Sequence, residues 1–171
     1  MKQILLVIAI LLCGTFAYSQ TKSVYTQLTD KSCKTLEMNP DEGGSYKGEC
    51  KGVGGYKLYL IEGDLRQSID VVTPDRKVQP LQFWQFNGGF SAVGDRAEWI
   101  TAGGAPTALI VRFNITNGED PLAPRISYLM VSKIARNGSC VVDMIAPGKQ
   151  QNVLARRSAA KALSMPCRPT S

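Results

Sequence analysis

The sequence predicts a mainly β domain, an antiparallel sandwich or barrel-like sheet with one C-terminal α-helix. Three observations carry this reading. Residues 54–72 alternate apolar and polar side chains on both sides of a Gly-Asp turn, the signature of two strands folded back on each other. Residues 107–116 and 125–135 are longer runs of the same kind, rich in β-branched and aromatic residues. Helix-forming composition is confined to residues 149–164, after Pro147-Gly148.

In chain order, residues 1–19 come first: Met1-Lys2, an apolar run, then Ala17-Tyr18-Ser19. A short positive region, an apolar core and a small-x-small site are the grammar of a secretory signal peptide, too short to span a bilayer. Cleavage after Ser19 leaves residues 20–171 as a single domain. Cys13 follows Leu12 rather than a small residue, which argues against a lipid anchor.

Residues 23–28 and 34–38 are short strand candidates, and 45–50 is the one strand candidate in the glycine-rich stretch 39–55. Residues 56–61 and 65–71 form the hairpin, with Leu58 and Leu60 on one face, Leu65, Ile69 and Val71 on the matching face, and the turn at Glu62-Gly63-Asp64. Residues 77–86 are expected to be extended, with Pro80 marking an edge strand or a bulge. A loop over 87–95 leads to a strand over 96–101. In the 107–116 strand Leu109, Val111, Phe113 and Ile115 share one face, and Ile110 lies on the other. A loop over 117–123 follows. Asn137-Gly138 then turns the 125–135 strand into a last strand over 140–145. The C-terminal helix is expected to dock through Val153, Leu154, Ala160 and Leu163, with Lys149 and Arg156 outward.

Four cysteines remain after signal removal, an even count that suits disulfides in an exported chain. Cys33–Cys50 and Cys140–Cys167 are the expected pairs, because each brackets one local unit. Zinc-site spacing is absent, with no histidine and no C-x-x-C, so neither metal nor cofactor is expected. The net charge of +6 includes no dense basic cluster, which argues against nucleic acid as a partner. No later segment approaches ~18 consecutive apolar residues, so no spanning helix is expected.

Catalysis is poorly provided for. Without histidine, Ser-His-Asp and Cys-His arrangements are impossible. A carboxylate-dependent hydrolase remains possible through Glu62/Asp64 or Asp95/Glu98. The recurrence Gly63-Asp64-Leu65-Arg66 and Gly94-Asp95-Arg96 puts an aspartate at a turn and an arginine at the next strand start. With Trp84 and Trp99 as a frame, Asp64, Arg66, Asp95 and Arg96 form a candidate binding patch. The competing reading is two ordinary capped turns. Tyr46 in the glycine-rich stretch and Tyr56 at its end are candidate contacts for a partner's cleft.

The run from Cys33 to Val72, together with residues 94–99 and 140–142, resembles a group of exported bacterial proteins of unknown function. The resemblance implies a small secreted or periplasmic domain and no particular activity. Gly43-Gly44-Ser45-Tyr46 is similar to the Ser-Gly-x-x-Tyr loop of bacterial periplasmic lysozyme inhibitors, with Glu42 where the serine would stand. The expectation is therefore an exported, non-enzymatic binding module, its partner an acidic envelope polymer or a protein. An inhibitor module and a hydrolase are the alternatives.

Overall fold

The computed structural model describes residues 21–41, 44–86, 89–116 and 124–170. The predicted signal peptide, Glu42-Gly43 and the predicted 117–123 loop lie outside the described residues. Ten strands are described: β1 (Thr21–Gln27), β2 (Lys34–Asn39), β3 (Ser45–Lys51), β4 (Lys57–Gly63), β5 (Arg66–Val72), β6 (Val78–Pro80), β7 (Ser91–Ala102), β8 (Ala105–Thr116), β9 (Arg125–Lys133) and β10 (Cys140–Ile145). One α-helix, α1 (Gln151–Ala160), follows them.

The strands form one sheet bent into two antiparallel arms. The first runs β1-β7-β8-β9-β10 and the second β6-β5-β4-β3-β2. A single parallel pair, Arg66 with Ser91, joins them through β5 and β7. The end strands β2 and β10 do not pair with each other, so the sheet is sandwich-like rather than a closed barrel.

Alternation decides what each arm buries. Leu58, Leu60, Ile69 and Val71 on the second arm meet Trp99, Leu109, Val111, Phe113 and Ile115 on the first, and together they make the main core. Ile110, Leu129, Val131 and Val142 point the other way, into a second core beneath α1. The molecule is thus three layers deep: arm, arm, helix.

The β4–β5 hairpin pairs Leu60 with Ile69 and Gly63 with Arg66. Its turn is therefore Asp64-Leu65, one residue later than expected, and both residues have positive φ, 50° and 58°. Holding Leu65 there costs about 1–2 kcal/mol. A one-residue slip would instead expose four core side chains worth roughly 1.5–3 kcal/mol each, so the hydrophobic register wins. Leu65 consequently sits in the turn, exposed, not on the face of Ile69 and Val71.

Three expectations are corrected beyond the hairpin. β7 already begins at Ser91, inside the segment 87–95 expected as a loop. Only Val78–Pro80 of the 77–86 segment is a strand. It lies at the edge of β5, the first of the two readings Pro80 allowed, and residues Phe83–Phe86 form a 3-10 turn. Gln82 at φ 49° redirects the chain so that Phe83 enters the core against Phe113, ring centroids 5.4 Å apart. The Ser68 hydroxyl accepts the Phe83 N–H at 2.9 Å. The helix also docks by an unexpected face. Gln151, Ala155, Ser158 and Ala159 are buried, with Ala162 just beyond, while Val153, Leu154 and Leu163 are 47%, 43% and 55% exposed. Small side chains bring the helix close to β8 and β9, and polar anchors orient it. Ser158 donates to Asp143 at 2.8 Å, and the Gln151 amide donates to the Ser127 and Ile145 carbonyls at 2.7 and 3.1 Å.

Both expected disulfides, Cys33–Cys50 and Cys140–Cys167, are formed. They fit an oxidising, extracytoplasmic compartment. Among the described residues, no helix is long and apolar enough to cross a membrane.

Asp70 is a buried carboxylate on β5, flanked by Tyr59 and Pro80 on the neighbouring strands, and its Oδ1 has no hydrogen-bond partner. Burial pushes its pKa up to about 6, against the pull of nearby Lys47. The folded state therefore holds this proton more tightly than the unfolded chain does. The cost of ionisation is absent below about pH 4 and complete above about pH 6. In full, the shift corresponds to about 3 kcal/mol, and partial screening reduces the expected effect to about 1–2 kcal/mol. Asp70→Asn should accordingly raise the urea midpoint at pH 8 and leave it nearly unchanged at pH 4. An equal gain at both values would mean that ionisation is not the cause.

Candidate functional site

The polar residues that interrupt the apolar faces converge at one end of the molecule. On β4, Leu58 and Leu60 share their face with Glu62. On β5, Ile69 and Val71 share theirs with Gln67. Through the register of β2 to β5, Met38, Tyr46, Glu62 and Gln67 form one cross-strand row.

Opposite this row the sheet has a gap. β5 meets β7 only at Ser91, and β1 pairs with β7 only from Arg96 onward. Side chain and loop bridge the interval. Gln67 Oε1 accepts the Val93 N–H at 2.9 Å, its Nε2 donates to Glu62 at 2.6 Å, and the Leu28 N–H donates to the Asp95 carbonyl at 2.8 Å. A groove of about 760 Å³ opens here, within the usual size of ligand sites. A hollow of about 300 Å³ adjoins it and shares Glu62, Gln67, Ala92 and Arg125.

The groove is lined by residues of both charges: Asp30, Glu62 and Asp95 are acidic, and Arg112 on β8 and Arg125 at the start of β9 are basic. None of the five is ion-paired with another among the described residues. Arg112 reaches the groove because Gly94 leaves room for its stem: a Cβ at Gly94 would lie 2.8 Å from that of Arg112. Its Nη1 donates to Ser127 Oγ at 2.7 Å and to Gln151 Oε1 at 3.4 Å, so the first residue of α1 helps to hold it. The hydroxyls of Tyr46 and Ser91, residues of the groove and of the hollow, are buried without a hydrogen-bond partner. The Tyr46 ring lies over Gly48, where any Cβ would collide with it.

The sequence-predicted site is dispersed. Tyr46 and Asp95 do lie in the groove. Asp64, Arg66 and Trp84 form a separate cluster: Arg66 is paired with Asp64 and stacks 5.8 Å from the Phe90 ring, and with Trp84 it borders a shallow, mostly apolar hollow of about 360 Å³. Arg96 is exposed on β7 opposite Gln27, and Gly94-Asp95-Arg96 is an irregular stretch within β7 rather than a turn. Trp99 has no exposed surface, and its indole N–H donates to Thr26 Oγ1 at 2.9 Å, so it frames no surface patch. Tyr56 is likewise buried in the main core. The glycine-rich stretch is not an open loop, since Ser45 and Tyr46 belong to β3, hydrogen-bonded on both sides.

Both sequence-adjacent carboxylate pairs are also divided. Asp64 is tied to Arg66 in an exposed turn, whereas Glu62 faces the groove. Glu98 accepts hydrogen bonds from Arg156 at 2.7 Å and Ser23 at 2.6 Å on the helix side of the sheet. Burial alone would raise the Glu98 pKa, but these bonds outweigh it and hold the group below its ordinary value. Asp95 stands apart from it in the groove. Among the described residues, no cluster of three or more acidic or cysteine side chains is arranged to hold a metal ion.

No protein-family model matches the chain, and neither the curated proteins nor the solved structures contain a significant match.

Arg112, Arg125, Gln67, Met38 and Asp30 are absent from the sequence-level candidates. A local signal for the first existed: Arg112 and Asn114, with Thr107 and Thr116, are the polar members of an otherwise apolar strand. For the others, nothing local distinguishes a groove residue from a solvated one.

Proposed function

We propose that the protein is an exported, non-enzymatic binding module, periplasmic or secreted, that acts at the cell envelope and takes its ligand in the groove between the two arms. One observation carries the reading: five charged groups of both signs line a single groove without neutralising one another. Such groups are strong hydrogen-bonding partners for a ligand that supplies their counterparts. The two disulfides and the predicted signal peptide support export.

Co-sedimentation of the mature protein with purified cell-wall sacculi tests this, at low salt and at about 0.5 M salt, where screening falls to a few ångströms. Wild-type protein should pellet at low salt and less at high salt. Gly94→Ala, which displaces Arg112, and Arg125→Gln, at an exposed position, should each reduce pelleting about fivefold or more, a loss of ~1 kcal/mol. Their melting curves serve as the control for folding. Absence of wild-type pelleting at both salts would remove the envelope reading, and unchanged pelleting of both variants would put the contact outside the groove.

A further inference from the structure

Resting on that reading of the groove, we propose that its ligand is a short peptide segment bearing both a carboxylate and an ammonium group, the carboxylate taken by Arg112 and Arg125 and the ammonium by Glu62 and Asp95. The argument begins with the count of charges. A polyanion entering the groove would bring Arg112 and Arg125 its negative groups, and would meet Asp30, Glu62 and Asp95 as like charges. A polycation would meet the opposite conflict. Like charges brought together in a partly desolvated cleft oppose binding. A neutral ligand would bury charges of both signs with no counter-charge, which is costly as well. A ligand with one group of each sign offers a counterpart to both sets of charges.

The remaining lining suits a peptide backbone. The Gln67 side-chain amide already stands in for a strand, accepting the Val93 N–H through Oε1 and donating through Nε2 to Glu62. It does so where β5 and β7 share only one ladder pair. An extended segment beside it presents the same alternation of N–H and C=O groups. The amide of Asn114 adds a further donor and acceptor, and Leu28, Leu60 and Met38 offer apolar surface for the stem. The guanidinium of Arg112 engages only its Nη1 within the described residues, which leaves its other N–H groups for a carboxylate.

The test is titration of the isotope-labelled mature protein with di-, tri- and tetra-alanine, each with free termini, N-acetylated or C-amidated, followed by the amide signals of Val93, Gly94 and Gln67. At least one free peptide should move these signals, and either blocking group should weaken binding about tenfold, the ~1.4 kcal/mol of one lost charged contact. Arg125→Gln should narrow the difference between free and amidated peptide while keeping that between free and acetylated, and Glu62→Gln should do the reverse. Equal binding of free and blocked peptides, or no movement with any of them, overturns the assignment. In that event, sacculus pelleting that still depends on Gly94 and Arg125 leaves the groove as the contact for a different ligand. Pelleting independent of both removes the groove reading as well.

Discussion

Trp99→Ala is expected to destabilise the protein by about 3–5 kcal/mol and to have no selective effect on binding. Trp99 is the largest side chain without exposed surface, placed on β7 where the two arms meet. Its removal takes away a large apolar contact and leaves a cavity that the bent sheet cannot readily fill. The Thr26 hydroxyl also loses the indole N–H that ties β1 to β7. Gly52 makes relaxation harder, because its backbone approaches the indole so closely that even a Cβ there would lie 3.0 Å from the ring. Against a typical total stability of about 5–15 kcal/mol, the loss is large enough to read directly from the urea midpoint. A variant that unfolds at the wild-type urea concentration but no longer binds its ligand would contradict this and restore Trp99 as a surface contact.

Reduction of both disulfides is expected to have an effect of similar or greater size. In the entropic model, bridges separated by 17 and 27 residues are worth about 3–3.5 kcal/mol each. Together they approach the whole stability of a domain of this size. The two bridges should also fail differently. Cys33–Cys50 ties the β1–β2 connection to β3, inside the main core, so Cys33→Ala with Cys50→Ala should lower the global unfolding midpoint. Cys140–Cys167 ties the tail to β10, where the Arg168 N–H also donates to the Val141 carbonyl at 2.7 Å. Its removal should free residues 165–170 and loosen α1 before the sheet yields. Hydrogen exchange measured on the two double variants separates these outcomes. Identical exchange patterns would show that the bridges act on a single cooperative unit.

The buried alternation of β4, β5 and β8 was legible because period two is a property of each strand alone. The same holds for the cysteine pairing, where two short loops each bracket a local unit. The helix was legible as a helix but not in orientation: an apolar stripe of Val153, Leu154, Ala160 and Leu163 reads as a docking face, while the surface beneath α1 accepts Gln151 and otherwise only small residues. That constraint comes from the distance between α1 and the sheet, which no residue of the helix encodes by itself. The misplaced Trp99 has the same origin. An aromatic residue next to charged neighbours looks like a contact, and only its position between the two arms makes it core.

The mainly β class and both disulfides follow from local chemistry: strand periodicity and the parity of cysteines. The groove does not. Glu62 and Asp95 are 33 positions apart in the chain, and Arg112 and Arg125 belong to two further strands. They come together because β5 and β7 share one ladder pair and then diverge, and because Gly94 lets an arginine stem pass. Long-range strand order is set by how the two arms bury their apolar faces against each other, a cooperative outcome of the whole chain. Hence the charged residues that meet in the groove were visible one by one, and their meeting was decided only by the folded sheet.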